Sequence, residues 1–419
     1  MKYDINKFLI LSIFIILLPR VSFGNTNDYE LYEVKNYHDQ FCSKLITNIT
    51  NKNIEDEWIT TEKSNKYQLL INNNKKIKLK LQSFVRKKEI QKLIFTFYSL
   101  LNKPIIELRS NKNCKIKSAR VLIYDKKDIP IKINSVDMSN YNIIETKFLN
   151  PDLPIINNES DKNIIGLIDT GINYTIEKFE KNIATKNKKI IGYDFWDNDN
   201  KPFDSDPRQN PFYPRHHGTT VFSVLSKEAP ESKIAPYRFP ANDMCKFKDL
   251  IDHIAENSIK LVSLSMGSDN ILDWVCFREA LEKHKDILFI VSAGNNGFNI
   301  DNKPIYPASL DLDNIITVTS SDQTGRLGRG SNYGKYSVDF ILPAERVEVI
   351  DHRGVRASTG GTSYAVPRLV ALVSRYLNKN PNSSKDDILS FLKKRAIIKG
   401  EKITRYGWIP DPSDDYLIN

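Results

Sequence analysis

The segment Asn163-Ile164-Ile165-Gly166-Leu167-Ile168 is an almost continuous apolar run, which is typical of a strand buried on both faces of a sheet. It ends in the turn Asp169-Thr170-Gly171. Downstream, short apolar segments alternate with segments of helical periodicity. Strands are predicted at 190–195, 233–237, 261–264, 287–291, 315–318 and 338–342, and helices at 248–257, 274–284 and 384–395. Repeated units of this kind predict an α/β fold with a mostly parallel sheet between helices, whose ligands bind at the carboxyl ends of the strands.

The overall composition is that of an ordinary globular protein. The chain has 419 residues, of which 40% are hydrophobic and 27% charged, and this length suits a large catalytic domain with a further domain. The formal net charge is +10, but lysines are scattered along the whole chain and no nucleic-acid motif accompanies them. Nucleic acid is therefore not expected as a partner.

Residues 1–24 have the pattern of a signal peptide. Two lysines accompany an apolar run at 8–18, which is too short to span a bilayer comfortably, and the small residues Ser22 and Gly24 precede the expected cut. The alternative is that this segment is not cleaved and anchors the protein in the membrane. Because no later segment approaches membrane length, we expect an exported protein, secreted or periplasmic, without a membrane span after signal removal.

The four cysteines favour disulfide bonds, since an even number in an exported chain usually forms pairs. Three pairings can be drawn. Proximity along the chain predicts Cys42–Cys114 and Cys245–Cys276. None of the four lies in a CxxC or Cys/His cluster, so a zinc site is not expected.

Residues 25–150 predict a small α+β or β-rich domain without a catalytic constellation. The segment 76–81 alternates as a strand with one buried face, and 120–124 is a further strand. The apolar segment 91–101 fits either a strand or a helix, and 129–131 an edge strand. The prolines after residue 150 indicate a linker.

The stretch Gly360-Gly361-Thr362-Ser363-Tyr364-Ala365-Val366-Pro367 precedes an apolar helical run at 369–377. A serine at a helix N-terminus lies beside unpaired N–H groups and the positive end of the helix dipole. Both suit a nucleophile that generates an oxyanion next to itself. Taken alone, such a serine is more typical of a helix cap.

Three further residues supply what a nucleophile needs. Asp169, at the end of the buried strand, can hold an imidazole in one tautomer. His217, at the start of a predicted helix, can act as general base. Asn295 follows another buried strand and can direct an amide N–H at an oxyanion.

The order Asp, His, Asn, Ser, each within its local motif, resembles the subtilisin-like serine peptidases (subtilases) over residues 160–412. The matching motifs are Ile168-Asp169-Thr170-Gly171, His217-Gly218-Thr219 with Val221, Ser265-Met266-Gly267, Ala293-Gly294-Asn295 with Gly297, and Gly361-Thr362-Ser363 with Ala365 and Pro367. The resemblance implies a three-layer subtilisin-like fold and an endopeptidase that forms an acyl-enzyme on Ser363. His217 would be the general base and Asp169 its orienting acid. The Asn295 side chain and the Ser363 N–H would form the oxyanion hole, and no cofactor would be required.

The same resemblance implies a substrate-binding site for a peptide or protein. Ser265, Met266 and Gly267 would pair with the substrate backbone. Ala293 and Gly294 would form a wall of the specificity pocket, and Ile305 its floor. Because this floor lacks an acid, an apolar side chain is expected at the cleavage site. The bond between Tyr306 and Pro307 is expected to be cis, as in the family.

Four positions depart from the family pattern: His216 before the base, Thr220 and Arg368 where histidines are usual, and Tyr364 after the nucleophile. The acid-rich segment 197–206 has carboxylates that can bind calcium. It lacks EF-hand spacing, which favours a surface loop and no metal site.

Two questions stay open at the level of sequence. Residues 25–150 fit either a removable pro-region that inhibits the enzyme intramolecularly or a retained accessory domain. The triad fits hydrolysis best. Transfer of the acyl group to an amine, or a binding protein that has lost turnover, are the alternatives.

Overall fold

The computed structural model describes residues 31–47, 58–64, 67–87, 89–156, 163–399 and 403–418. The predicted signal peptide, residues 1–24, lies outside them. The chain divides into two compact units, residues 1–148 and 149–419. Within the described ranges no helix is both long and apolar enough to cross a membrane.

Among its described residues, the first unit has one helix and an antiparallel sheet whose eight strands neighbour each other in sequence order. The helix is α1, Leu31–Thr47. The strands are β1 Ile59–Lys63, β2 Tyr67–Asn72, β3 Ile77–Arg86, β4 Glu89–Ser99, β5 Pro104–Asn111, β6 Ile116–Tyr124, β7 Pro130–Val136 and β8 Ile143–Phe148.

Alternation along the strands places one face of this sheet in a core with α1. Ile77, Leu79 and Leu81 of β3 are buried together with Phe95 and Phe97 of β4. The prediction of a strand at 76–81 is thereby confirmed, and 91–101 proves to be a strand.

The edge of this sheet differs from the prediction. The predicted edge strand at 129–131 belongs to β7, which lies between β6 and β8, so that prediction was wrong. A disulfide bond joins Cys42 of α1 to Cys114 in the turn between β5 and β6, with their Cα atoms 5.7 Å apart.

The second unit is built on a parallel sheet in the order β12-β13-β9-β14-β15-β16-β17-β20. Its strands are β9 Ile164–Asp169, β12 Tyr193–Asp194, β13 Lys233–Arg238, β14 Leu261–Leu264, β15 Leu288–Ser292, β16 Ile315–Ser321, β17 Phe340–Pro343 and β20 Gly407–Trp408. Two short antiparallel pairs accompany it, β10 Thr185–Lys186 with β11 Lys189–Ile190, and β18 Val347–Ile350 with β19 Arg356–Thr359.

Helices cover both faces of this sheet. They are α2 Gly218–Glu228, α3 Phe247–Glu256, α4 Val275–Lys283, α5 Thr362–Lys379 and α6 Lys385–Arg395. The apolar side chains of α2, α5 and α6 share one core, and those of α3 and α4 share another. In β9, Leu167 belongs to the first core and Ile168 to the second, which explains its uninterrupted apolar sequence. The predicted α/β arrangement with a mostly parallel sheet is confirmed.

Local predictions held best where the pattern was strong. The strand at 261–264 and the helices near 248–257, 274–284 and 384–395 are present. Ser384 and Asp387 form a capping box at the start of α6. The strand expected at 190–195 is reduced to the short β12. The second disulfide bond joins Cys245 to Cys276 in α4.

Candidate active site

Three of the motif residues lie at or just beyond the carboxyl ends of strands in the parallel sheet. Asp169 is the last residue of β9, Ser265 follows β14 directly, and Asn295 lies three positions beyond the end of β15. His217 precedes α2 as its N-cap residue, and Ser363 is the second residue of α5. This is the edge at which parallel α/β sheets bind their ligands.

Asp169 and His217 form a direct pair. Nδ1 of His217 lies 2.8 Å from Oδ1 and 2.9 Å from Oδ2 of Asp169, whose side chain is only 3% exposed. A buried carboxylate accepts, so the hydrogen lies on Nδ1 and Nε2 keeps its lone pair. Asp169 Oδ1 also accepts from the Thr170 N–H at 2.8 Å, which fixes the carboxylate.

Opposing influences act on the His217 imidazole. Burial lowers the pKa of His217, but the charge of Asp169 and its hydrogen bond act against burial, and the charges of Asp204 and Asp206 add to them. The net effect is a pKa of His217 above its ordinary value. An imidazole with a raised pKa is a stronger base, provided that the pH is high enough to keep it neutral.

Asn295 is held against the start of α5. Its Oδ1 accepts from the backbone N–H of Thr362 at 3.0 Å and from the Thr362 hydroxyl at 3.2 Å. Because the oxygen is engaged with the helix, the Nδ2 donors lie on the other side of the amide. Gly361, with a φ of +122°, allows this approach, since a Cβ there would lie 3.1 Å from Asn295 Oδ1.

A cavity of about 360 Å³ adjoins Ser363. Its lining includes all the predicted substrate-binding residues but one: Ser265, Met266, Gly267, Gly294 and Ile305, together with Asn295. The exception is Ala293, which is fully buried and whose carbonyl oxygen accepts from Asn332 Nδ2 at 2.8 Å.

The base of the cavity lies where two glycine segments approach Ile305. A Cβ added to Gly267 would lie 3.4 Å from Ile305 Cγ2, and one added to Gly294 would lie 3.6 Å from it. The neighbouring peptide bond between Tyr306 and Pro307 is cis, as predicted. Ser265 ties this wall to the nucleophile candidate, because its hydroxyl donates to the Ser363 carbonyl oxygen at 3.0 Å.

The rim of the cavity carries groups that the sequence did not predict. Lys303 places its ammonium 3.9 Å from the centroid of the Phe298 ring, and Asp269 also lines the opening. No motif or spacing marks these three residues. The apolar floor is therefore combined with a charged rim.

Two of the departures from the family pattern meet each other. The Thr220 hydroxyl donates to the His217 carbonyl oxygen at 2.7 Å and lies 3.0 Å from the Tyr364 hydroxyl. Since the single Thr220 proton is used, Tyr364 is the donor in the second bond. This relay connects α2, which follows the base, to α5, which carries the nucleophile candidate.

Arg368 also connects two helices. Its Nε lies 2.8 Å from Glu228 Oε1, and its Nη2 donates to Ser413 Oγ at 2.9 Å. Both charged side chains are nearly buried, at 11% and 12% exposure. The substitution at this position therefore serves the packing of α5 against the end of α2.

The acid-rich segment is buried at Asp204 and Asp206 and half-buried at Asp197 and Asp199, so the predicted surface loop was wrong for its carboxylates. Asp194 at 2.8 Å and Asp197 at 2.5 Å pair with the buried guanidinium of Arg238. Asp204 and Asp206 are 0% and 8% exposed. Carboxylates that already share an arginine are poor calcium ligands, because their charge is compensated.

Residues 160–408 match the subtilase family. A thermophilic serine proteinase of Bacillus sp. (strain AK1) is 29% identical over 239 residues, which are 52% of this chain and 53% of the relative. Subtilisin BL of Lederbergia lenta is 26% identical over 152 residues, 36% of this chain and 54% of the relative. The chain thus spans about half the length of the curated relatives it matches.

Solved structures resemble the chain in fold. A lanthipeptide protease is 18% identical with a TM-score of 0.52, over 61% of this chain and 88% of that one. An epidermin leader peptide processing serine protease from Staphylococcus aureus is 18% identical with a TM-score of 0.50, over 61% and 76%. At this identity the likeness concerns the fold alone.

Proposed function

The chain belongs to the subtilase family, and from this premise we propose that it is an exported serine endopeptidase acting through Ser363, His217 and Asp169. The observation that carries the proposal is the contact of both Asp169 oxygens with Nδ1 of His217. It fixes the tautomer in which Nε2 can accept a proton from a serine. A serine that only caps a helix does not require such a pair, and a histidine with a purely structural role does not require a buried carboxylate.

The proposed reaction proceeds through an acyl-enzyme. Nε2 of His217 takes the proton of the Ser363 hydroxyl while Oγ forms a bond to the substrate carbonyl carbon. Asn295 Nδ2 and the Ser363 N–H donate to the resulting oxyanion. His217 then passes the proton to the departing amine as the peptide bond breaks. Water, deprotonated in the same way, hydrolyses the ester and restores Ser363.

The substrate is a peptide bound beside Ser265, Met266 and Gly267. We propose that an extended substrate adds to this segment as a strand, with one side chain entering the cavity above Ile305. The buried isoleucine favours an apolar side chain there, because a charged one would lose its hydration without a partner.

Export and processing belong to the same proposal. Two disulfide bonds favour an oxidising compartment, secreted or periplasmic. We propose that residues 1–24 are the signal peptide, that residues 25–150 are a pro-region or accessory domain, and that residues 160–412 form the peptidase domain. A pro-region would act as an intramolecular inhibitor. The proposed reaction requires no cofactor.

A fluorophosphonate probe tests the proposal, since it reacts with an activated serine. We expect labelling of the wild-type protein and none of Ser363→Ala. The exposed serine of β19 gives a matched control, Ser358→Ala, which should label like wild type. Unlabelled wild-type protein, refolded and processed, would contradict the proposal and favour a binding protein.

The products separate hydrolysis from its rival. Hydrolysis of a peptide bond adds one water across its two products, whereas cyclisation by transfer to an internal amine releases the same leaving peptide and adds none. The cyclic product is therefore lighter than the corresponding linear product by the mass of one water. N-terminal sequencing alongside Ser363→Ala tests processing. A mature start near residue 150 in wild type alone would indicate a self-cleaved pro-region, and a start near residue 25 in both proteins would indicate a retained domain.

A further inference from the structure

Asp204 is a fully buried carboxylate that lies outside the proposed triad. Its Oδ1 accepts from the Thr170 hydroxyl at 2.5 Å and from the backbone N–H of His217 at 3.1 Å. Thr170 directly follows Asp169. One oxygen of Asp204 therefore contacts both the turn that carries the acid and the backbone of the base.

The second oxygen holds the start of the helix that follows the base. Oδ2 of Asp204 accepts from the Thr219 N–H at 3.0 Å and from the Thr219 hydroxyl. The first N–H groups of a helix have no intrahelical acceptor, so Asp204 caps α2 from a distant loop. The Thr170 hydroxyl oxygen accepts in turn from the Gly218 N–H at 2.9 Å, which closes the network.

Two imidazoles face this buried charge. Nδ1 of His216 donates to the Asp204 carbonyl oxygen at 2.7 Å. The His352 ring stacks on the His216 ring, with centroids 3.5 Å apart and planes inclined by 7°. Nδ1 of His352 lies 3.7 Å from Asp204 Oδ2, and no described residue hydrogen-bonds to that nitrogen.

These imidazoles are well placed to compensate the Asp204 charge. Burial raises the pKa of Asp204, but His352, the charge of His216 and the Thr170 hydroxyl outweigh it and lower the pKa to about 2. Asp204 is then ionised throughout the pH range in which His217 acts as a base. A buried charge of this kind needs both hydrogen bonds and an opposite charge.

A shared metal ion explains the cluster less well, although its ligand-type atoms lie within 4.8 Å of one another. The four donors already occupy the roughly four acceptor positions of a carboxylate. The nitrogen lone pairs of His216 and His352 lie in the planes of two nearly parallel rings, so they do not converge on one ion.

We propose that Asp204 is a positioning residue, which locks the Asp169 turn to the His217 backbone and adds a second negative charge beside the base, with the imidazoles of His216 and His352 facing it. The proposal rests on the proposed serine endopeptidase function. The charged and titratable groups around it are Asp169, Asp206 with Arg208 and Arg238, the imidazoles of His216 and His352, and the phenol of Tyr364.

Asp204→Asn distinguishes this role from simple packing. The amide turns two acceptor positions into donors that face other donors, and it removes a negative charge near His217. We expect kcat/KM at neutral pH to fall at least tenfold, and the acid limb of the kcat/KM profile to move to lower pH by about one unit. A packing role predicts the loss without the displaced limb.

NMR titration of the imidazoles in a Ser363→Ala background measures the same effect without turnover. Asp204→Asn should lower the pKa of His217, whereas Asp206→Asn, the matched control, should lower it less because Arg208 already neutralises Asp206. An unchanged His217 pKa in Asp204→Asn would overturn the proposal. A change in the His217 pKa on adding EDTA to the parent protein would also overturn it, since a bound metal would then be the source of the electrostatic effect on His217. Failure of the function itself appears separately, as absent labelling by the fluorophosphonate.

His352→Gln keeps the proposal testable if Asp204→Asn does not fold. It removes one facing imidazole but leaves the carboxylate and its four donors. We therefore expect the pKa of His217 to stay at or above that of the parent, and the protein to lose stability. A His217 pKa below that of the parent would overturn the proposal, because it would show that Asp204 is not the source of the field.

Discussion

The two units each contain a histidine beside an aspartate, and the two imidazoles are perturbed in opposite directions. In the first unit, Nδ1 of His38 lies 2.8 Å from Oδ1 of Asp39. In the second unit, Nδ1 of His217 lies at the same distance from Oδ1 of Asp169. Yet the pKa of His38 is lowered and that of His217 is raised.

The surroundings of the carboxylate explain the difference. His38 is fully buried and its ring packs 4.6 Å from that of Phe95, while Asp39 is 47% exposed. Burial is therefore the dominant influence on the pKa of His38, and water screens the aspartate. Asp169 is only 3% exposed, so its charge is poorly screened. The contrast indicates that a buried aspartate opposes the effect of burial on its histidine partner more strongly than an exposed one does, with the charges of Asp204 and Asp206 adding to it at His217 and that of Lys35 acting against it at His38.

The largest expected effect comes from removing that buried charge. Asp169→Asn should make His217 resemble His38, with a pKa below its ordinary value, because the strongest opposition to burial is lost and only the charges of Asp204 and Asp206 still oppose it. We expect kcat to fall by about 10⁴-fold, since the amide also favours the wrong imidazole tautomer. Steady-state kinetics and NMR titration measure the two effects. A His217 pKa that stays raised would break the comparison.

A smaller loss is expected from the oxyanion side. Asn295→Ala removes a proposed donor to the transition state, and its expected cost is about 10²–10³-fold in kcat with little change in KM. The acid limb of the pH profile should stay where it is, because the amide carries no charge. Asn295→Asp is the matched variant, because its side chain is of nearly equal size but carries a negative charge. This charge should raise the pKa of His217 and move the acid limb to higher pH.

The pH dependence of wild-type activity has a defined direction. A neutral His217 is required, and its pKa lies above the ordinary value for histidine, 6.5. Activity should therefore be complete at alkaline pH and be lost as the pH falls through the raised pKa. If the acid limb of the kcat/KM profile had its midpoint below pH 6.5, the pKa of His217 would not be raised, and the contrast with the lowered pKa of His38 would be contradicted.

Local patterns predicted the parts of this site that depend on neighbours in sequence. The apolar run of β9 predicts the burial of Asp169, because Asp169 is the last residue of a strand that is covered on both faces. The helix starts at Gly218 and Thr362 were likewise marked by their motifs. These signals are short-range, so a single sequence contains them.

Contacts between distant segments explain what the sequence could not predict. The segment that contains Asp204 was interpreted as a surface loop because it lacks EF-hand spacing, and acidic residues are usually exposed. Its burial depends on the turn between β18 and β19, which brings His352 to it. The hydrogen bond between Thr220 and Tyr364 joins positions 144 residues apart, and neither residue has a pattern that announces the other. The segment 129–131 was wrongly predicted as an edge strand because β8, its outer neighbour, is exposed throughout and lacks alternation.

The relay from Tyr364 to Thr220 should have a modest effect on the base. Tyr364→Phe removes one neutral hydrogen bond, worth about 1 kcal/mol, so we expect an approximately fivefold loss in kcat/KM. A double-mutant cycle with Thr220→Val measures the coupling. Because no charge changes, the acid limb should not move. Additive losses in the cycle would show that the two residues act independently.

The smallest expected effect concerns His38 and the stability of the first unit. Unfolded His38 takes up a proton near its ordinary pKa of 6.5, whereas the folded residue does so only at lower pH. The unfolded state therefore binds more protons between these values, and stability falls as the pH drops below 6.5. Asp39, whose pKa is also lowered, destabilises the unit only in more acidic solution, as the pH falls below 3.8.

Hydrogen exchange of the full-length Ser363→Ala protein resolves this effect by unit. After correction for the intrinsic pH dependence of exchange, peptides from α1 and β4 should be less protected at pH 5 than at pH 7.5. His38→Gln removes the titration and should abolish most of that difference, while His217→Gln, the same change in the other unit, should leave it. Equal loss of protection in His38→Gln would mean that burial of His38 does not govern the pH response. The comparison of the two histidines would then lose its physical basis, because burial would not explain the pH response of the unit that contains His38.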